Sequence, residues 1–344
     1  MRINEARARA ADWVQRHADG SPAVLGAFFS GSTVDAGDAD ELAPTSDVDV
    51  LVVVDGPAAK LGKVWHQGVL VEVTELPWTE LADPEVVART FYLAPSFAPD
   101  TTVPDTVITD PFGRLQALRA AVAPLVWRPD VVLDRCESVL ARMTAEPTTT
   151  GSWARVVTAW LFPTSLSTNV VLVAARRNPT VRLRYLRART VLTEHGLSQL
   201  YPAMLDQLGC REVSVALVRQ HLDAMTAAFD DAAALPPAPF PFAADLTPVA
   251  RPVAVDGARD LIAAGDHREA VFWLVATFAR CVQALDAAAA PAAGKHREAF
   301  AAAVGDLLQL WSPADLARRR AAVLATVPAL RATAAGIVHA GAGR

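Results

Sequence analysis

The stretch Asp47-Val48-Asp49-Val50-Leu51-Val52-Val53-Val54 constrains this chain more than any other. From Val48 to Val54 it is β-branched or apolar at every position but one, the pattern of a strand covered on both faces. Such a strand ordinarily excludes charge, because an unpaired buried carboxylate costs several kcal/mol. This one nevertheless opens on two carboxylates. Side chains alternate across a strand, so Asp47 and Asp49 fall on one face, about 7 Å apart along the backbone. Leu51 and Val53 continue that face, and Val48, Val50, Val52 and Val54 take the other. Whatever compensates the two acids is the functional question.

The surrounding sequence predicts what the strand packs against. Residues 4–19 carry helical spacing, with Ala6, Ala10, Trp13, Val14 and Ala18 near one face. Ser21-Pro22 signals a turn, followed by a short apolar strand that stops at Gly31-Ser32. Residues 33–46 are acidic and turn-rich, 57–69 read as a connection, and "VLVEVTELPW" predicts a third strand. Residues 78–93 look helical, with Asp83-Pro84 as punctuation, and "DTVITD" predicts one more strand. Beyond residue 113 the signal is helical, over 114–124, 130–145, 152–177, 180–195, 211–234, 256–286, 296–310 and 313–334. A Pro-rich insertion, "ALPPAPFPFAADLTPVARP", interrupts these helices and cannot continue one. The expected fold class is therefore α+β: a small mixed-sheet domain over 1–112, then an all-helical domain over 113–344.

At 344 residues each domain can bury a core of its own, and 52% apolar against 20% charged residues fits a folded chain. The net charge of −5 and the absence of a long basic tract argue against a large nucleic-acid footprint. The charged N-terminus shows no secretory pattern. The apolar run at 270–279 is too short to span a bilayer and reads as a buried helix. Three scattered cysteines, Cys136, Cys210 and Cys281, read as core thiols of a cytoplasmic protein with no membrane partner.

Two carboxylates at the start of a strand can hold one or two Mg²⁺ ions, which prefer oxygen ligands. Glu72, flanked by Val71 and Val73, is again a lone acid inside an apolar strand and a candidate third ligand. Gly31-Ser32 would bring backbone N–H groups and a hydroxyl close to phosphate oxygens. A Gly-Ser pair, a strand opening Asp-x-Asp and a third acid on a neighbouring strand resemble the nucleotidyltransferase superfamily related to DNA polymerase β. The glutamate as third acid and the helical second half look most like its antibiotic, aminoglycoside-type members. That resemblance covers roughly residues 20–112 by motif. It implies that Gly31 and Ser32 hold a nucleoside triphosphate, that Asp47, Asp49 and Glu72 hold Mg²⁺, and that a nucleoside monophosphate passes to a substrate hydroxyl with release of pyrophosphate. ATP is the expected nucleotide and a small hydroxylated molecule the expected acceptor, bound between the two domains. Protein nucleotidylation, as in antitoxin-like members, and a non-catalytic nucleotide-binding protein of the same fold are the alternatives. A homodimer is left open.

Other polar residues receive blander readings. Lys60 and Lys63 read as solubilising loop charges, with a triphosphate contact as the rival. His66 reads as a turn residue, His195 as a helix-terminal cap before Gly196, and Glu75 as off the acidic face. Arg176, Arg177, Arg182, Arg184, Arg187 and Arg189 surround Tyr185. They predict a salt-bridged helix surface, with a basic cleft wall as the rival. Glu137, Glu146 and Glu194 are unranked candidates for a catalytic base. Trp153, Trp160, Phe272, Trp273 and Trp311 read as core aromatics.

Overall fold

A computed structural model describes residues 1–17, 23–99, 103, 105–148, 150–236 and 242–342. The chain divides into two compact units. The first runs Met1–Ser138 with two later pieces, Leu172–Thr180 and the stretch from Ala334; the second comprises Val139–Val171 and Val181–Thr333. The first unit thus runs beyond residue 112 and takes in helices that follow it.

The first unit is built on five strands: β1 (Val24–Ser30), β2 (Val48–Val54), β3 (Lys60–His66), β4 (Val69–Pro77) and β5 (Val107–Thr109). Their order across the sheet is β3-β4-β2-β1-β5. β2 runs parallel to β4, and the other neighbouring pairs are antiparallel. The sheet is therefore mixed, as expected, but the segment read as a connection supplies a whole strand, β3. Its Lys60, Gly62 and Lys63 dilute the β-branched signal that marks β2 and β4. The two-residue turn Gln67-Gly68, both at positive φ (48° and 80°), returns the chain directly into β4.

Parity along β2 sorts the two cores. Val48, Val50, Val52 and Val54 pack with Val69, Val71 and Val73 of β4 and with Ala6, Ala10 and Val14 of α1 (Ile3–His17). Val53 and Leu76 face the opposite side with Phe28, Leu93 and Phe97, joined there by α2 (Pro84–Arg89) and α3 (Arg114–Val122). The helix expected over 78–93 shrinks to a 3₁₀ turn at Trp78–Glu80 and to α2, because Asp83 caps the N–H of Glu85 and Pro84 restarts the helix.

The remaining helices are α4 (Pro129–Thr144), α5 (Trp153–Ala174), α6 (Arg184–Glu194), α7 (Tyr201–Leu208), α8 (Val215–Ala233), α9 (Gly257–Ala263), α10 (His267–Ala287), α11 (Ala293–Leu308), α12 (Pro313–Ala325) and α13 (Val327–Ala342). Helix α7 was not foreseen, and the spans expected at 256–286 and 313–334 each divide in two. The middle of the Pro-rich insertion, the turn signal at Ser21-Pro22 and Ala18 lie outside the described residues. Helices α8 and α11 are clasped by two crossed pairs, His221–Asp306 at 2.9 Å and His296–Asp231 at 2.6 Å. All three cysteines are buried free thiols, as the core reading requires.

The apolar run at 270–279 proves to be the middle of a longer helix, α10. Both α5 and α10, at 22 and 21 residues, are long and apolar enough to cross a membrane, and 72% of each apolar window is buried within the fold. The inference that this run is too short to span does not hold for the helix containing it.

Candidate metal centre

One row of residues crosses the sheet. In the β3–β4 pairing Lys63 stands opposite Glu72, in β4–β2 Glu72 stands opposite Asp49, and in β2–β1 Asp49 stands opposite Ser30. Asp47 precedes the first residue of β2 on the same face. Ligand oxygens of Asp47, Asp49 and Glu72 all lie within 4.8 Å of one another, and the three residues are half-buried. The three predicted acids therefore converge. Two oxygens on opposite sides of an Mg²⁺ ion stand about 4.2 Å apart, twice a bond of about 2.1 Å. The three carboxylates stand close enough to share one ion, so as a donor set the residues present fit a hard divalent cation.

The turn after β1 approaches this cluster. Gly31 has φ +66°, and a Cβ placed on it would overlap the Asp49 carboxylate. Glycine is required twice over, by the left-handed backbone and by the close approach. Gly31 opens a 3₁₀ turn, Gly31–Val34, in which the Ser32 side chain is exposed. Two residues that the sequence did not flag hold this turn. Asn178 donates from Nδ2 to the Gly31 carbonyl and from its backbone N–H to Asp35 Oδ2 (2.6 Å). Buried Arg7 of α1 donates to the carbonyls of Thr33 and Ala36, the latter at 2.6 Å, and pairs with Asp38 at 2.7 Å. Asp35 and Asp38 of the acidic loop thus brace the turn.

Lys63 is not a solvated loop residue: its side chain is only 5% exposed, and its ammonium donates to both Asp47 and Glu72. Lys60 pairs with the other Glu72 oxygen at 2.8 Å. A β-bulge between Lys60 and Gly62 makes this double contact available, since residues three apart on a regular strand face opposite ways. The signal was present in the sequence. His66 and Val69 flank a two-residue hairpin turn, and counting three positions back on each arm pairs Lys63 with Glu72.

The acids respond differently to this environment. Burial pushes the Glu72 carboxyl up, but the ammonium groups of Lys63 and Lys60 outweigh it and hold it down at about 2. Burial lifts Asp47 above the usual carboxylate range; Lys63 opposes that rise and Glu72 adds to it. Asp49 is raised furthest, by burial and then by the charges of Asp47 and Glu72, with only longer-range relief from the two lysines. Burial disfavours the Lys63 ammonium, yet Asp47 and Glu72 more than restore it.

The remaining predicted polar residues fall elsewhere. Glu75 stands opposite Val52, off the acidic face as expected, and accepts from the Ala59 N–H at 2.9 Å. His66 closes β3 and meets Asp12 at 2.7 Å. His195 caps α6. Arg184 and Arg187 do not share a surface: Arg187 is exposed, whereas Arg184 is 3% exposed and stacks over Phe272 at 4.2 Å. Arg189 pairs with Asp266 at 2.7 Å and with buried Glu269 at 2.6 Å. Trp160 and Phe272 are core residues as read, but Trp311 is 69% exposed. Comparison with protein-family models, curated proteins and solved structures finds no match.

Proposed function

We propose that this protein is a nucleotidyltransferase that uses Mg²⁺ to move a nucleoside monophosphate, from ATP in the first instance, onto a hydroxyl of a small molecule. The observation that carries this reading is the convergence of Asp47, Asp49 and Glu72 from two adjacent parallel strands beside a glycine turn. In such a transfer the acceptor oxygen bonds to the α-phosphorus, the bond to the departing pyrophosphate breaks, and the hydroxyl proton passes to a base. Asp47, Asp49 and Glu72 would hold the metal, which when bound neutralises charge on the triphosphate and orients the displacement. The Gly31 turn offers a side-chain-free surface to phosphate, and Ser32 offers an exposed hydroxyl. Asn178 and Arg7 hold that turn in place.

A second reading has its own observation behind it. Lys63 and Lys60 already neutralise Glu72 and Asp47, so the cluster stands as an ion-pair network that needs no metal. That arrangement favours a non-catalytic nucleotide-binding or regulatory protein. Incubation with each nucleoside triphosphate, Mg²⁺ and a panel of hydroxylated compounds separates the two. Pyrophosphate together with a nucleotide mass increment on a compound supports transfer. An increment on protein redirects the reading to protein nucleotidylation, and the absence of both favours the second reading.

A further inference from the structure

The buried lysine suggests how the site is regulated, on the reading that the three acids bind metal. We propose that Lys63 is a resident counter-cation of the acidic cluster, which a divalent ion must displace in order to bind. Three observations carry this. Lys63 donates to two of the three candidate ligands at once, so its ammonium occupies coordination positions that an ion would need. Its side chain is 5% exposed, so its ammonium resides within the cluster rather than in bulk water as a surface lysine's does. It is mounted on β3 directly opposite Glu72, so the pairing is fixed by strand register rather than by chance proximity. An ammonium is a compact point charge on a flexible stem, and four rotatable bonds allow its head to move while the strand stays still.

The consequence is a site selective for what brings the metal. A bare divalent ion has to break two charge-assisted hydrogen bonds and leave the displaced ammonium without an anion, inside a half-buried cleft. A metal carried on a triphosphate supplies several negative charges for that ammonium to meet. Free metal should therefore bind weakly, and nucleotide should strengthen metal binding through Lys63. By linkage, metal strengthens nucleotide binding by the same factor.

The test uses the full chain and Mn²⁺ alone, with free Mn²⁺ followed by its paramagnetic resonance signal. Lys63→Met removes the charge while keeping the length of the stem. It should bind Mn²⁺ at least tenfold more tightly than the unaltered protein, and Asp49→Asn should lose that binding. A non-hydrolysable ATP analogue should then raise Mn²⁺ affinity more in the unaltered protein than in Lys63→Met. A residue serving only to stabilise the fold would leave affinity unchanged or lower it. Equal or weaker Mn²⁺ binding by Lys63→Met overturns the proposal while the metal site stands. An equal gain with nucleotide in both proteins overturns the coupling. If neither protein binds Mn²⁺ saturably with or without the analogue, the metal reading itself fails, and the displacement with it.

The unaltered protein offers a second measurement that does not depend on the variant folding. The chain has three lysines, Lys60, Lys63 and Lys295, so side-chain ammonium resonances of nitrogen-15-labelled protein are few enough to follow singly. Saturating Mg²⁺ should move or broaden the Lys63 resonance and leave that of Lys295 in place. A Lys63 resonance unmoved at saturation overturns the displacement.

Discussion

The acidic row on the sheet and the arginines of the helical unit are both buried charge, and they are compensated in different ways. In the helical unit the partners match. Arg189 lies between Asp266 and Glu269, Tyr201 adds a hydroxyl to Glu269 at 2.8 Å, and Arg280 pairs with Asp245 at 3.1 Å. Arg184 uses the Phe272 face and the Ser165 hydroxyl instead. Each of these arginines has a carboxylate, or a ring face and a hydroxyl, against it, so their charges serve packing. On the sheet, two ammonium groups meet three carboxylates, and Asp49 is left with neighbours of its own sign. A buried excess of one sign costs stability unless a ligand completes it, which is how functional sites differ from structural ion pairs.

The sharpest way to break that comparison is to remove one cation from each region. Arg189→Leu strands Glu269, which is 1% exposed, and should cost about 3 kcal/mol in chemical denaturation, since removal of one partner leaves a buried charge unpaired. Lys63→Met should cost a similar amount, about 3 kcal/mol, in metal-free protein. The difference lies in rescue. Mg²⁺ should raise the melting temperature of Lys63→Met more than that of the unaltered protein, and should raise that of Arg189→Leu only as much as it raises the unaltered protein's. Equal responses would place both clusters in the structural class.

Removing acids sharpens the contrast. Glu72→Gln takes a ligand and the shared partner of both lysines, so transfer should fall by at least about a hundredfold, given that even supporting residues around a metal are worth 10- to 100-fold. Asp49→Asn should abolish transfer and yet leave metal-free stability equal or higher. The sign follows from the raised carboxyl. A group held above its unfolded value contributes stability only at low pH and loses it as pH rises, so an amide that never ionises escapes the loss. Thermal denaturation at neutral pH without metal checks this. A clear drop in stability would mean that Asp49 is held by partners, as Glu269 is, and would end the distinction.

The sequence made one half of this charge balance legible and hid the other. Asp47, Asp49 and Glu72 stand out because each interrupts a β-branched run, and the faces of β2 follow from period-two alternation alone. Lys63 stayed hidden because β3 is diluted by glycine and lysine and kinked by a bulge, so nothing in composition marks it as a strand. Only the register set by the Gln67-Gly68 turn reveals its partner. Asn178 was beyond reach for a different reason. It lies 147 residues from Gly31, and no local pattern encodes a contact at that separation. Likewise Arg184 and Arg189 share a run but not a role, because helix phase turns Arg184 into the core and Arg189 toward α10.

The smallest predicted effect falls on Ser32, and it isolates what the glycine turn does without its side chains. Ser32 is exposed in the 3₁₀ turn, so Ser32→Ala should change stability by no more than about 0.5 kcal/mol. If its hydroxyl donates to a phosphate oxygen, the loss is one hydrogen bond of about 0.5–1.5 kcal/mol, a few-fold to roughly tenfold in turnover at low nucleotide. The effect should lie in KM for nucleotide rather than in kcat if the hydroxyl binds ground and transition states alike. Gly31→Ala makes the complementary change, since its Cβ meets the Asp49 carboxylate rather than a phosphate, and so should weaken Mn²⁺ binding as well as turnover. Should Ser32→Ala leave KM untouched while Gly31→Ala loses metal, the turn serves the acids by shape alone, and backbone N–H groups are left as its means of holding phosphate.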